Sequence, residues 1–134
     1  MTEPTEILIR LVFATLAGGF IGLEREVVHK PAGVRTHMLV CLGSALFVLV
    51  TLETLPNEVA RIIAGIATGI GFLGAGTIFK AKNEVHGLTT AASVWAVAGV
   101  GIAIGLGYYL MMIISVVLIL IILQLNKIEF FRKL

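Results

Sequence analysis

Charge is what this chain has least of. Only 13% of its 134 residues are charged, against about 25% in soluble domains, while 58% are hydrophobic and the mean hydropathy is +1.05. So little charge leaves no soluble surface to build. The chain reads as an all-α integral membrane protein, a single transmembrane domain over residues 1–134. The net charge of +2 is too small to call for nucleic acid. Cysteine is scarcer still. Cys41 stands alone, which excludes an internal disulfide and a multi-cysteine metal site and leaves a small apolar residue in a span. No acid occurs between Glu84 and Glu129. His29 and His37 have no second histidine at metal-binding spacing and read as interfacial polar residues. No span pairs a nucleophile with a base, so the chain does not read as an enzyme and carries no cofactor motif. The start, MTEPTEILIR, lacks the basic n-region of a signal peptide and reads as a retained first helix. Internal repeats are absent too, and five spans cannot be halved into an inverted pair.

Long apolar runs and glycine are abundant instead. From Arg61 to Lys80, RIIAGIATGIGFLGAGTIFK holds no charge and no proline between its two cations. Twenty helical residues rise roughly 30 Å, the thickness of a bilayer's hydrocarbon core. In lipid the helix is enforced because unsatisfied backbone groups have no water to turn to. Glycine then lets neighbouring helices approach. Gly65 and Gly69 form a G-x-x-x-G pair with Gly76 on the same side, and Gly71 and Gly74 form a second stripe with Ala67. This predicts a central helix packed on more than one side. Gly18 and Gly22 on the first helix, and Gly101 and Gly105 on the fourth, are further helix-packing positions. Gly69-Ile-Gly71-Phe-Leu-Gly74 also fits the dinucleotide fingerprint. That motif needs a preceding strand and an acid about twenty positions on, and neither is present.

Five spans follow, at about 7–24, 36–53, 61–80, 88–106 and 108–126, the last two joined by a tight corner at Gly105–Tyr109. With five crossings and the N-terminus outside, the inner side collects Arg25, Lys30, Arg35, Lys80, Lys82, Lys127, Arg132 and Lys133. The outer side keeps Arg10 and Arg61. Eight to two is a strong positive-inside signal, so the C-terminus is expected inside. Glu6 and Glu58 sit at helical spacing from Arg10 and Arg61, as interfacial ion pairs do. The basic-aromatic IEFFRKL reads as an anchor on the inner face.

Polar residues also gather on the inner side. Glu24-Arg25-Glu26 closes the first helix, and the Pro31-Ala-Gly33 turn is expected to bring Arg35 back to the level of Glu24. Thr15, Gly18, Gly22, Arg25 and Glu26 share one face, while Glu24 ends another made of Ala14, Ala17 and Ile21. Neither face is the large-residue surface expected against lipid. A structural Glu24–Arg25–Arg35 network and a binding site are both compatible with this pattern. Across the mouth, Thr89 is expected to cap the fourth helix, with Thr90 beside it. Trp95 reads as a packing residue. The ion-site candidates are therefore Glu24, Arg25, Glu26, Arg35, Thr36, Thr89 and Thr90, with Glu24 first for a metal. Magnesium takes oxygen ligands, often one or two carboxylates plus waters, and is the possible ion; Arg25 and Arg35 would repel it.

Four stretches carry a resemblance: GGFIGLERE (Gly18–Glu26), KPAGVRTHMLVCLGSAL (Lys30–Leu46), GIGFLGAGTIF (Gly69–Phe79) and VHGLTTAASVWAVAGVGIAIGLGYY (Val85–Tyr109). The chain resembles the membrane domain of the MgtC/SapB family. The resemblance implies a five-span protein of the bacterial inner membrane, linked to magnesium homeostasis and, in pathogens, to virulence. It also implies action on other membrane proteins, including ATP synthase and a magnesium-transport ATPase. Many members continue into a cytosolic domain after the fifth span. The expected partners are the lipid bilayer, a second copy in a homo-oligomer, most simply a dimer, and other membrane proteins. Regulation through helix contacts is the favoured reading, and an ion-binding or ion-transporting bundle is the alternative.

Overall fold

The computed structural model describes residues 1–134. Its first helix, α1 (Pro4–Val27), starts on a proline at a position whose N–H would have no helical partner anyway, with Glu6 in the positive first turn. His29 leaves the helix at φ 56°, and the chain turns into α2 (Val34–Thr54). The opening of α2 is satisfied from outside, where the Glu26 carboxylate accepts the Val34 N–H at 3.0 Å. One 3₁₀ turn, Pro56–Glu58, leads into α3 (Val59–Ala75). After it come two short antiparallel strands, β1 (Phe79–Ala81) and β2 (Glu84–His86), with Lys80 opposite Val85. The turn residues Lys82 and Asn83 both have positive φ, 51° and 65°, as a two-residue hairpin following the twist of its strands requires. Next are α4 (Leu88–Gly105), α5 (Tyr109–Gln124), a 3₁₀ turn at Leu125–Lys127 and the short α6 (Glu129–Arg132).

Five helical stretches are long and apolar enough to cross a membrane: Pro4–Val27, Val34–Thr54, Pro56–Ala75, Leu88–Gly105 and Tyr109–Lys127. Polar contacts align their ends in alternation. The Thr2 N–H donates to Glu53 at the far end of α2, Tyr109 at the start of α5 donates to Glu6, and Gln124 at its end donates to Glu24. The end carrying Glu24 is the cation-rich end of the bundle.

The core lies between α1, α2 and α4. It holds Ala14, Ala17 and Ile21, then Val40, Cys41, Ala45 and Val48, then Val94, Val97, Ala98, Val100 and Ile104. Small residues make this contact close. A Cβ on Gly18 would collide with the His37 carbonyl and approach Cys41 Cβ to 2.9 Å. One on Gly101 would collide with the Cys41 carbonyl and approach Ser44 Cβ to 2.9 Å, and one on Gly105 would lie 2.9 Å from the Ala45 carbonyl. Cys41 is fully buried, as its place in a span suggested.

The third span departs from expectation in two ways. It ends at Ala75 rather than reaching Lys80, so Gly76 is a cap residue and Lys80 lies in a strand. Thr77 is the reason. Its N–H and hydroxyl both donate to the Gly74 carbonyl, at 2.9 and 2.8 Å, and the Ile78 N–H reaches only to Ala75. The helical pattern tightens and stops while the apolar letters Ile78 and Phe79 run on. Nor is α3 central. Ile66 and Gly74 are its only buried residues, and a Cβ on Gly65, Gly69 or Gly71 would touch nothing. Gly74 does pack, since a Cβ there would lie 3.2 Å from the Ala91 carbonyl, whereas one on Gly76 would meet only the Leu73 carbonyl of the same helix. The middle of the bundle belongs to α2 and α4, whose small residues face helices on more than one side.

Candidate functional site

At the cation-rich end, Arg25 and Glu24 form an ion pair, Nε to Oε2 at 2.6 Å, with side chains only 5% and 8% exposed. Neighbours in a helix normally diverge, yet here both turn inward along the small faces of α1. Gln124 adds a long contact of 3.5 Å to the other Glu24 oxygen. Removing either partner would strand a desolvated charge, so this is a matched pair. Arg35, by contrast, is exposed and takes no part in it. The Glu24–Arg25–Arg35 network is therefore a two-member pair. The turn at Pro31 and Gly33 brings Val34, not Arg35, back to the first helix, where it meets Glu26.

The other candidates scatter. Glu26 is exposed and acts as the cap of α2; Thr36 is half-buried; Thr89 is exposed; Thr90 is buried. Thr89 does not cap α4. That place belongs to Gly87, with no side-chain cap bond, because φ is +89° there and a Cβ would collide with the Thr77 carbonyl. No three His, Cys, Asp or Glu side chains converge to hold a metal ion. The cation-rich end thus holds an ion pair, a cap and exposed cations, not one ligand shell.

His37 is the residue the sequence reading misplaced. Far from interfacial, it is fully buried, with Nδ1 2.9 Å from the Gly33 carbonyl and Nε2 2.9 Å from Ser93 Oγ. Ser93 in turn donates to the Thr90 carbonyl at 2.8 Å. The signal was in the spacing. His37 lies four residues before Cys41 and seven before Ser44, on the small face of α2. Gly18 and Gly22 of α1 close over it as bare backbone. Trp95 was also misplaced: it is 57% exposed on the outer surface of α4 and packs nothing in the core.

The opposite end holds the expected Glu6–Arg10 pair at 2.9 Å, with more attached. Tyr109 donates its hydroxyl to the same Glu6 oxygen, and Arg10 Nη1 donates to the Gly105 carbonyl at 2.8 Å. Phe13 meets the Tyr109 ring edge-on, with centroids 5.7 Å apart. Glu58 and Arg61 pair at 3.0 Å on the surface, where exposure leaves little net stabilisation. Along the side of the bundle, α2 and α3 splay around an apolar cleft of about 510 Å³, with Gly43, Gly65 and Gly69 among its lining residues.

The model of the MgtC family matches residues 11–129. The chain belongs to the MgtC family. Among its curated relatives, YhiD of Escherichia coli K12 is 43% identical over 113 residues, 78% of this chain and 53% of YhiD. MgtC of Salmonella typhimurium LT2 is 45% identical over 102 residues, 76% of this chain and 44% of that protein. SapB of Bacillus subtilis is 39% identical over 114 residues, 78% of this chain and 49% of SapB. The chain spans about half the length of the curated relatives it matches. No solved structure matches it. For this MgtC-family chain, family membership and five apolar helices together support a multi-pass membrane location.

Proposed function

We propose that this MgtC-family domain is a regulator in the bacterial inner membrane, tied to magnesium homeostasis and acting through helix contacts with other membrane proteins. The observation that carries the reading is the set of glycines spared from the core. Gly43, Gly65, Gly69, Gly71 and Gly99 would each accept a Cβ without touching anything in the chain. In lipid, glycine has value where another backbone comes close, and three of these line the open α2–α3 cleft. The tie to magnesium rests on family membership and on the name of the K12 relative, which proposes magnesium transport. Self-association, most simply as a dimer, fits the same bare faces.

Tagged chain purified from membranes of magnesium-limited cells is expected to bring down defined membrane proteins. Gly69→Leu is expected to lose them while still accumulating in the membrane, since a Cβ there meets nothing in the chain and the side chain has the open cleft to enter. Equal recovery by the variant, or a wild-type chain running as a bare monomer or self-dimer, ends this reading.

Carriage of magnesium or another cation through the charged mouth ranks second. It draws on the K12 relative's name. Against it, the carboxylate first in line, Glu24, already has its charge matched by Arg25 at 2.6 Å.

A further inference from the structure

A buried imidazole inside an apolar bundle is costly to keep unless its surroundings use it. His37 has no exposure at all, and both ring nitrogens are engaged. The Gly33 carbonyl can only accept, so Nδ1 carries a hydrogen. On the other side, Nε2 and the Thr90 carbonyl both lie within hydrogen-bond distance of the single Ser93 hydroxyl, at 2.9 and 2.8 Å. That hydroxyl has one proton to give. If it goes to Thr90, Nε2 must itself carry a hydrogen and donate to Ser93, and the ring is an imidazolium. If the hydroxyl turns to Nε2, the ring is neutral and the Thr90 carbonyl loses the serine. Both arrangements fit the same heavy-atom positions.

We propose that His37 is a proton-binding site within the bundle, its two protonation forms selected by the direction of the Ser93 hydroxyl. The ligand is a proton. Binding it adds one positive charge between the start of α4 and the α1–α2 turn, and turns one hydroxyl from Nε2 to Thr90.

The charged neighbours are few. From α1 come Glu24 and Arg25, which offset each other as a pair, and the exposed Glu26, whose carboxylate accepts the Val34 N–H next to Gly33; Gly18 and Gly22 offer only backbone. Within α2, Arg35 is exposed two residues earlier and the Cys41 thiol lies one turn on. The helix α4 has no ionisable side chain. The nearest such groups on α3 and α5, Arg61 and Tyr109, lie at the opposite end of the bundle. Inside the bundle the ring thus faces one matched ion pair, with the exposed Glu26 and Arg35, of opposite sign, at its edge, so no single neighbouring charge fixes it in one form.

The chain has three histidines, and the other two are exposed. In a His29→Asn, His86→Gln background, ¹⁵N-histidine protein in lipid nanodiscs reports His37 alone; asparagine suits the positive φ at position 29. Two forms are expected across a pH titration, a neutral ring with hydrogen on Nδ1 and a doubly protonated ring. Ser93→Ala removes the acceptor of the charged form and is expected to lower the midpoint by about one pH unit. Ser93→Thr keeps a hydroxyl and is expected to hold it. A ring in one form across the range overturns the proposal, as does a midpoint that Ser93→Ala leaves in place.

Discussion

Two kinds of glycine share this chain, and a single methyl group tells them apart. At Gly18 and Gly101 the added carbon would run into the carbonyls of His37 and Cys41, backbone atoms that cannot swing aside. At Gly65 it would meet open space. Overpacking a close contact costs about 1–3 kcal/mol, whereas an unobstructed alanine in a helix is neutral or mildly favourable. Gly18→Ala and Gly101→Ala are therefore expected to destabilise the folded chain by about 1–3 kcal/mol. Gly65→Ala is expected to stay within about 1 kcal/mol of the parent. Equilibrium unfolding in mixed micelles checks both, and equal losses at all three positions would contradict this division. If Gly65→Ala kept its stability but lost its membrane partners, the open face would be marked as a contact surface.

At the scale of elements, the start of α1 holds the corner between α4 and α5. Gly107 turns that corner at φ +82°, and Arg10 lies against it, where a Cβ would come within 2.8 Å of Nη2. With its guanidinium shared between Glu6 and the Gly105 carbonyl, Arg10 fastens the last turn of α4. Charge-assisted bonds of this kind contribute about 1.5–3 kcal/mol. Arg10→Met is expected to speed amide exchange at Leu106, Gly107 and Tyr108 about tenfold or more, with α2 unaffected. Unchanged protection at the corner would show that the Gly107 turn holds itself. The Glu6–Arg10 pair is legible from its spacing but this attachment is not, because Gly105 and Tyr109 are remote in the chain. Element existence was legible in the same uneven way. Five apolar runs predicted five helices, and four spans fell close to their expected bounds. The third failed at Thr77, where a hydroxyl competing for a helix carbonyl left no trace in hydropathy. The site was less legible still. Glu24 and Arg25 announced themselves as charges at a span's end, but their pairing excluded Arg35 for reasons of side-chain direction. His37 looked interfacial because Arg35 and Thr36 precede it. Only the packing of Gly18 and Gly22 over α2 put it inside.

For the whole molecule, charge and connectivity together argue for one orientation. The contacts Thr2–Glu53, Glu6–Tyr109 and Glu24–Gln124 run the helices up and down in alternation, with the two chain ends at opposite ends of the bundle. That arrangement gathers Lys30, Arg35, Lys80, Lys82, Lys127, Arg132 and Lys133 at one end, with the hairpin and α6. Burying such an array in translocation is disfavoured, so this end is expected in the cytoplasm and the N-terminus outside. The chain suits a direct test, because its only cysteine, Cys41, is fully buried and should resist reagents in the folded state. Single cysteines at Thr2→Cys, Lys82→Cys and Lys133→Cys can then be probed in intact cells with a membrane-impermeant maleimide. Thr2→Cys is expected to label without lysis, and the other two only after the membrane is opened. Labelling of Thr2→Cys and Lys133→Cys from the same side would mean an even number of crossings. One of the five helices would then lie along the membrane or turn back within it, and α3, the least buried of the first four and bordered by the splayed cleft, would be the first to re-examine.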